Sequence, residues 1–349
     1  IGASTLINTE CQQTLVPRYA KGEDMNIDQQ TLNRARGAAH EAVRRLIYDP
    51  NVLMIDIGWP EHGGVLYENE LAIRVHVEKK IPQGPALEVA TQSGVTRGEI
   101  PSFIDGFPVD IPQSPYRLHQ WWSGGWQRPT PLRARRTEPI QGGISVANGR
   151  IRGYGTLGGV VRDRTSGAPM ILSNWHVLVG QWHARPGWPI FQPGQGDGGG
   201  DVDTVARLSR DAMSVNLDAA VAELTNDRQW INDQLGLGPV KGVGKPQLGM
   251  SVTKSGRQSD VTYGRVTGVD GTARLPYSGV YRVINNVMTI EPREVHAQVS
   301  AGGDSGSFWL DEETMHVVGL HFAGSDRPER ALAINIQPVL DALNVDVAL

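Results

Sequence analysis

The stretch "SAGGDSGSFWL", residues 300–310, places three glycines around one acid and one serine and then continues into an apolar, strand-like run. Glycine loses more conformational entropy on folding than other residues, so this cluster indicates unusual backbone angles or a close approach to the main chain. A tight loop centred on Ser305 would direct the N–H groups of Gly303 and Ser305 at one point, as an oxyanion hole requires. On this stretch alone an ordinary hairpin turn stays equally open, since turns also use Gly, Asp and Ser.

The composition of the whole chain favours a mainly β protein. Its 349 residues include 42 glycines and 22 prolines, and its apolar runs are short and separated by turn residues. No run approaches the roughly 20 apolar residues that span a bilayer, so no membrane association is expected. Lys plus Arg is 33 and Asp plus Glu is 37, a net charge of −4, and this near-balance gives no reason to expect a nucleic-acid partner.

The cysteine content and the first residues of the chain bear on the cellular compartment in which the protein is expected. Cys11 is the only cysteine, so no intrachain disulfide can form, and the first residues lack the pattern of a signal peptide. We therefore favour a cytoplasmic location as an expectation. Nothing in the sequence predicts a cofactor or a metal, because no cluster of ligand residues has a spacing typical of such a site.

The first third of the chain is predicted to hold an N-terminal arm, 1–25, and a small α+β accessory domain, 26–112. Apolar residues recur at three- and four-residue steps over 26–48, which predicts an amphipathic helix. Three candidate strands follow, at 51–59, 71–80 and 104–111. We expect this domain to carry no chemistry, and its use in assembly or in presenting substrate stays open.

Residues 113–139 change in character and are predicted to form a linker. The segment is rich in proline and arginine and contains Trp121, Trp122 and Trp126. We expect the tryptophans to pack on a neighbouring surface, because exposed indoles are costly. Binding of single-stranded nucleic acid by this aromatic and basic segment is a weaker alternative.

The remainder, 140–349, is a series of short strands and turns, and it contains a candidate base and a candidate acid for Ser305. In "MILSNWHVLV" a buried strand leads directly to His176, which would be held rigidly, although a purely structural histidine is an alternative. In "VNLDAAVAEL" Asp218 enters an apolar strand, where an unpaired carboxylate would be costly and a histidine N–H is a natural partner. The competing acids lie in a glycine-rich loop: Asp197, Asp201 and Asp203.

The order His176, Asp218, Ser305 within one β-rich segment resembles the chymotrypsin-like (trypsin-like) serine peptidases. The resemblance covers 140–349 and rests on "GGDSGS", "SNWHVL", "LDAAVAEL" and "VVGLHFAG". In detail the segment is similar to a bacterial branch with LSNxHVL and GDSGS motifs, to which the plant NARROW LEAF 1 type is related. The disulfides of the animal members have no counterpart in this chain.

This resemblance implies a chymotrypsin-like double β-barrel preceded by a small α+β domain, with the triad between the barrels. It also implies a serine endopeptidase that acts on protein or peptide substrates through an acyl-enzyme. Ser305 would be the nucleophile, His176 the base and Asp218 its orienting acid, while Gly303 and Ser305 would form the oxyanion hole. The alternative is an inactive scaffold of the same fold that binds protein partners, and the accessory domain could assemble the chain into a homo-oligomer.

The resemblance also assigns a specificity pocket. Val299 would lie at its base beside Ser300, and His321, Phe322 and Ala323 would form a wall. Because no acid stands at the base, preference for Lys or Arg is not expected. A small or apolar residue is favoured, with an acidic residue bound by His321 as the alternative. In secreted members of the family a newly cut N-terminal isoleucine pairs with the acid before the serine, which here is Asp304, and Ile1 or Ile140 could supply it. A preformed oxyanion loop, which needs no such cleavage, is the simpler expectation.

Overall fold

A computed structural model of the protein describes residues 19–20, 27–63, 65–82, 84–119, 132–294 and 296–349. Nearly all of the predicted N-terminal arm, including Cys11, lies outside these residues. The three tryptophans of the predicted linker also lie outside them: Trp121, Trp122 and Trp126.

The N-terminal region packs a long helix on a small group of strands. Asp28 caps helix α1 by accepting a hydrogen bond from the backbone N–H of Thr31 at 2.8 Å. The buried face of the helix is made of four alanines, which let the helix lie close to the sheet. The elements of this region are β1 (Tyr19–Ala20), α1 (Gln29–Leu46), β2 (Val52–Gly58), β3 (Glu61–His62), β4 (Val65–Tyr67), β5 (Ala72–Val77), α2 (Pro85–Gln92), β6 (Phe103–Ile104), β7 (Phe107–Asp110) and β8 (Arg117–Leu118).

The next part of the chain forms a closed, six-stranded antiparallel barrel in the order β10-β14-β15-β16-β13-β12. Backbone hydrogen bonds between Leu157 and both Gly143 and Ile144, each 2.8 Å long, join the first strand to the last and close the ring. Closure leaves few unpaired strand edges, and the apolar faces of the strands turn inward to form the core. The elements are β9 (Ile140–Gly142), β10 (Ser145–Asn148), β11 (Gly155–Thr156), β12 (Gly159–Asp163), β13 (Pro169–Ser173), α3 (Trp175–Leu178), β14 (Pro189–Phe191), β15 (Thr204–Asp211), β16 (Ala220–Leu224) and β17 (Trp230–Gln234).

The last part forms a second six-stranded ring in the order β20-β23-β24-β25-β22-β21. It is closed by the pairing of β20 with β21, from Ser251 opposite Arg265 to Gly256 opposite Asp260. The chain then returns to the first barrel, because β26 pairs with β12. The elements are β18 (Gly238–Pro239), β19 (Gly242–Val243), β20 (Ser251–Gly256), β21 (Asp260–Tyr277), β22 (Val280–Pro292), β23 (Phe308–Asp311), β24 (His316–Asp326), β25 (Glu329–Asn335), α4 (Ile336–Ala342) and β26 (Val345–Val347).

The N-terminal strands continue the sheet of the second barrel. Strand β2 pairs with β21, from Met54 opposite Ala273 to Gly58 opposite Gly268, and β5 and β7 extend the same sheet outward. Both faces of β5 are therefore buried, although its sequence alternates apolar with charged residues. The boundary between the accessory domain and the protease domain stays a prediction, since the pairing of β2 with β21 joins the two regions in one sheet.

A buried ionic network lies where the N-terminal region meets the second barrel. Asp56 accepts hydrogen bonds from Arg74 Nε at 2.7 Å, from His76 Nε2 at 3.2 Å and from Thr289 Oγ1 at 2.6 Å. Burial alone would raise the pKa of Asp56, but the Arg74 charge and these hydrogen bonds reverse that effect and hold it well below its ordinary value. The carboxylate is therefore charged and fully paired.

Replacing Asp56 by Ala is expected to lower the free energy of unfolding by about 3–5 kcal/mol, because the guanidinium of Arg74 would stay buried with its main partner removed. Denaturant titration measures the change. Arg36→Ala is the control, since the Arg36–Asp270 ion pair is partly exposed and such pairs are worth about 0–1 kcal/mol. Equal losses for the two variants would contradict the importance of the buried network.

The fold class predicted from the sequence is confirmed. The molecule is a mainly β, chymotrypsin-like double β-barrel, and a small α+β region precedes it. Across the part of the chain that is described, no helix has both the length and the apolar character needed to cross a membrane.

Candidate active site

The first barrel supplies the candidate base and its acid. His176 lies in α3, one short turn after β13, and Asp218 lies just before β16, which pairs with β13. His176 Nδ1 is 2.6 Å from Asp218 Oδ2, and the backbone N–H of His176 donates to Asp218 Oδ1 at 3.1 Å. Because a carboxylate only accepts, Nδ1 carries the proton of the neutral ring, and Nε2 keeps the lone pair that a general base needs.

A third group holds the same carboxylate from the opposite barrel. The hydroxyl of Tyr277, at the end of β21, donates to Asp218 Oδ2 at 2.9 Å. Burial, together with the adjacent Asp218 charge, raises the pKa of Tyr277 well above its ordinary value, so the hydroxyl keeps its proton and remains a donor. Asp218 is thus oriented by groups from both barrels.

Ser305 reaches this region from the second barrel, in the loop that precedes β23. Its hydroxyl donates to the carbonyl of Phe322 at 3.1 Å, and its own carbonyl accepts from the N–H of Thr156 at 2.7 Å. The glycine cluster has the backbone angles that its composition suggested, with φ of 109° at Gly303 and 99° at Gly306. A side chain at Gly303 would also collide with the ring of Tyr154.

The acid beside the serine anchors the loop. Asp304 accepts hydrogen bonds from Lys254 Nζ at 2.8 Å and from the N–H groups of Gln258 at 2.9 Å and Ala301 at 2.9 Å. Burial opposes the charge of Asp304, but the pairing with Lys254 outweighs it and keeps the pKa well below its usual range. An internal lysine therefore occupies the place that a new N-terminus would take, and Ile140 instead lies in β9, paired with β17.

The predicted pocket residues lie around the loop and on β24. Val299 and Ser300 are both buried, and their N–H groups donate to one oxygen of Glu329 at 2.9 and 3.2 Å. The Ser300 hydroxyl is buried, and none of the residues that the structure describes forms a hydrogen bond with it. On β24, His321, Phe322 and Ala323 are fully buried, and the carbonyl of Phe322 accepts the Ser305 hydroxyl.

The edge of β24 at Phe322–Gly324 beside Ser305, called the cleft here, is covered by the protein's own chain, in the segment that the sequence suggested as a linker. Strand β8 adds to the edge of β24, with Leu118 opposite Ala323. The N–H of Gly303, one of the two predicted oxyanion donors, donates to the carbonyl of His119 at 2.6 Å. Ser305 is consequently 0% exposed.

Three residues that complete this site were missed by sequence reasoning: Tyr277, Lys254 and His119. Each lies far along the chain from the residue it contacts, so no local pattern connects them. Lys254 carried the one usable signal, because a lysine inside the strand "SVTKSG" needs a partner if it is buried. Burial lowers the pKa of His321 well below the ordinary value, so an ion pair between a protonated His321 and an acidic residue is disfavoured.

Comparison with known proteins gives distant structural likenesses. No protein-family model matches the chain, and no curated protein matches it either. Among solved structures, Thermobifida fusca Protease A is 16% identical (TM-score 0.44), and the match covers 60% of this chain and 98% of that one. Nocardiopsis protease is 17% identical (TM-score 0.45, 60% and 99% covered). A glutamic acid-specific serine protease with a histidine triad in substrate binding is 19% identical (TM-score 0.45, 60% and 100% covered).

Proposed function

We propose that this protein is a serine endopeptidase that hydrolyses peptide bonds through an acyl-enzyme. The observation that carries the proposal is the short, buried contact between His176 Nδ1 and Asp218 Oδ2, in the barrel whose Thr156 N–H binds the carbonyl of Ser305. A merely structural histidine needs one satisfied nitrogen, whereas this arrangement also fixes the tautomer that a base requires. The motifs "LSNWHVL" and "GDSGS" further support a place in the bacterial branch named above.

In the proposed mechanism the Ser305 hydroxyl breaks its hydrogen bond to the Phe322 carbonyl. It then donates its proton to His176 Nε2 while its oxygen attacks the substrate carbonyl. The N–H groups of Gly303 and Ser305 stabilise the negative oxygen, and Asp218 stabilises the imidazolium. His176 then protonates the leaving amine, and water hydrolyses the ester by the reverse path. Asp304 and Lys254 hold the loop in place, so no activating cleavage at Ile140 is required.

Substrates are proposed to be proteins or peptides that add a strand to β24, as β8 does. Val299, Ser300, His321, Phe322 and Ala323 are proposed to form the pocket for the residue before the cleaved bond. The absence of an acid at Val299 disfavours Lys and Arg there. A substrate side chain that accepts a hydrogen bond is favoured at this position instead, because His321 keeps a neutral ring that can donate one.

The alternative function, an inactive scaffold, draws support from the complete burial of Ser305. Covalent labelling by a fluorophosphonate separates the two functions, because only an activated serine reacts. We expect the label on Ser305 of the wild type and of His119→Ala, in which the covering segment is weakened, and none on Ser305→Ala.

Mass spectrometry of the labelled peptides identifies the modified residue. Ser93→Ala, which removes an exposed serine at the end of α2, is the matched control and should label like the wild type. If neither the wild type nor His119→Ala were labelled at Ser305, the endopeptidase proposal would be wrong and the scaffold would remain.

A further inference from the structure

The segment that covers the cleft is bound as a substrate would be. The N–H of His119 donates to the carbonyl of Phe322 at 3.3 Å, and the preceding residues Leu118 and Arg117 lie opposite Ala323 and Gly324 in antiparallel register. The hydroxyl of Ser305 donates to that same Phe322 carbonyl. The main chain of His119 is therefore held directly beside the proposed nucleophile.

The carbonyl of His119 is bound by the loop that carries Ser305. It accepts the N–H of Gly303 at 2.6 Å, which is the donor assigned to the developing oxyanion. The backbone N–H and the backbone carbonyl of His119 are thus bound by the strand and the loop that flank Ser305.

The side chain of His119 fills the specificity pocket. Its Nδ1 lies 3.1 Å from His321 Nε2, and the indole N–H of Trp309 lies 3.5 Å from His321 Nδ1. Because an indole nitrogen only donates, His321 accepts at Nδ1, carries its proton on Nε2 and donates to His119. Burial lowers the pKa of His119 to about 4, so its ring stays neutral and can accept. At Gly324 any side chain would collide with the His119 ring.

The N-terminal region anchors the residues that lead into the cleft. Ser114 donates its N–H to the carbonyl of Val77 at 2.9 Å and accepts from Arg330 at 2.5 Å. Tyr116 is fully buried, and its hydroxyl lies 3.1 Å from His76 Nδ1. The segment therefore enters the cleft along a fixed path from the same molecule.

We propose that the protein cleaves its own chain in cis at the peptide bond that follows His119. This inference rests on the proposed endopeptidase function. Ser305 Oγ attacks the His119 carbonyl carbon as His176 takes its proton, and the bond to the nitrogen of Gln120 breaks as His176 returns that proton to it. Water then cleaves the ester, leaving a carboxylate on His119 and a free amine on Gln120.

Intact mass measurement and N-terminal sequencing of the purified full chain test this proposal. We expect a new N-terminus at Gln120, a first-order rate that does not depend on protein concentration, and an intact chain for Ser305→Ala. Removing the pocket side chain in His119→Ala should slow cleavage at least about 100-fold, since a site built around a hydrogen bond rejects a residue that lacks it. His119→Gln, which keeps an acceptor, should be cut faster than His119→Ala. His40→Ala, an exposed histidine on α1, should behave as wild type.

Fluorophosphonate labelling of the same samples separates the two proposals. Labelling of Ser305 in a chain that stays intact, or is cut elsewhere, would overturn self-cleavage and leave the endopeptidase standing. A rate that rises with protein concentration would overturn cleavage in cis. Equal rates for the Ala and Gln variants would overturn the pocket role of His119. If Ser305 were labelled in neither the wild type nor His119→Ala, and the chain were not cut, both proposals would be overturned.

Discussion

Ser305→Ala is expected to lower kcat for peptide hydrolysis by about 10⁶-fold, and His176→Ala by about the same factor. The two residues act as one unit, because Ser305 is a nucleophile only when His176 takes its proton. The double variant should therefore be no slower than either single one. The residual rate enhancement of these variants over the uncatalysed reaction would come from the oxyanion hole and from substrate binding.

Single-turnover kinetics on a fluorogenic peptide, with each variant purified from cells in parallel, measures these rates. His183→Ala removes an exposed histidine outside the cleft and should retain wild-type kcat. Losses that multiply in the double variant would show that the two side chains act independently. That result would be incompatible with the proposed triad.

Asp218→Asn is expected to lower kcat by about 10⁴-fold with little change in KM. The asparagine keeps the shape of the side chain, but its amide can donate to His176 Nδ1 and so shift the proton to Nε2. The lone pair that should receive the Ser305 proton is then lost. Binding of substrate along β24 does not depend on this tautomer.

Tyr277→Phe is the matched variant, since it removes one hydrogen bond to the same Asp218 oxygen and leaves the tautomer unchanged. We expect a loss of about tenfold, the rate equivalent of a single hydrogen bond. Steady-state kinetics separates kcat from KM for both variants. Similar losses in the two would indicate that Asp218 acts only by general positioning, against the assigned role.

Self-cleavage would give the N-terminal region a function. It holds no paired acids or metal-spaced histidines of its own, but it directs residues 114–119 into the cleft. Strands β2, β5 and β7 join the N-terminal region to the sheet of the second barrel and so hold this segment in a fixed position. The accessory region and the proposed enzyme are thus coupled through a segment that the sequence presents only as a linker.

The sequence by itself determined the elements whose signals are local. The three- and four-residue steps of apolar residues predicted the helix over 26–48, which spans Gln29–Leu46, and alternation predicted the strand near Ala72–Val77. Turn and strand composition predicted a mainly β chain, and the resemblance carried by the motifs around His176, Asp218 and Ser305 implied the double barrel. These signals depend on backbone preferences and on side chains within a few residues, so they can be read along the chain.

Only the tertiary structure decided which distant groups meet. Lys254 neutralises Asp304, Tyr277 reaches from the second barrel to Asp218, and the ring of His119 lies against His321. Each contact joins residues 50 or more positions apart, and it exists because barrel closure and strand register bring their backbones together. A buried charge or donor requires a partner, but the chemistry of one residue does not say which segment will supply it.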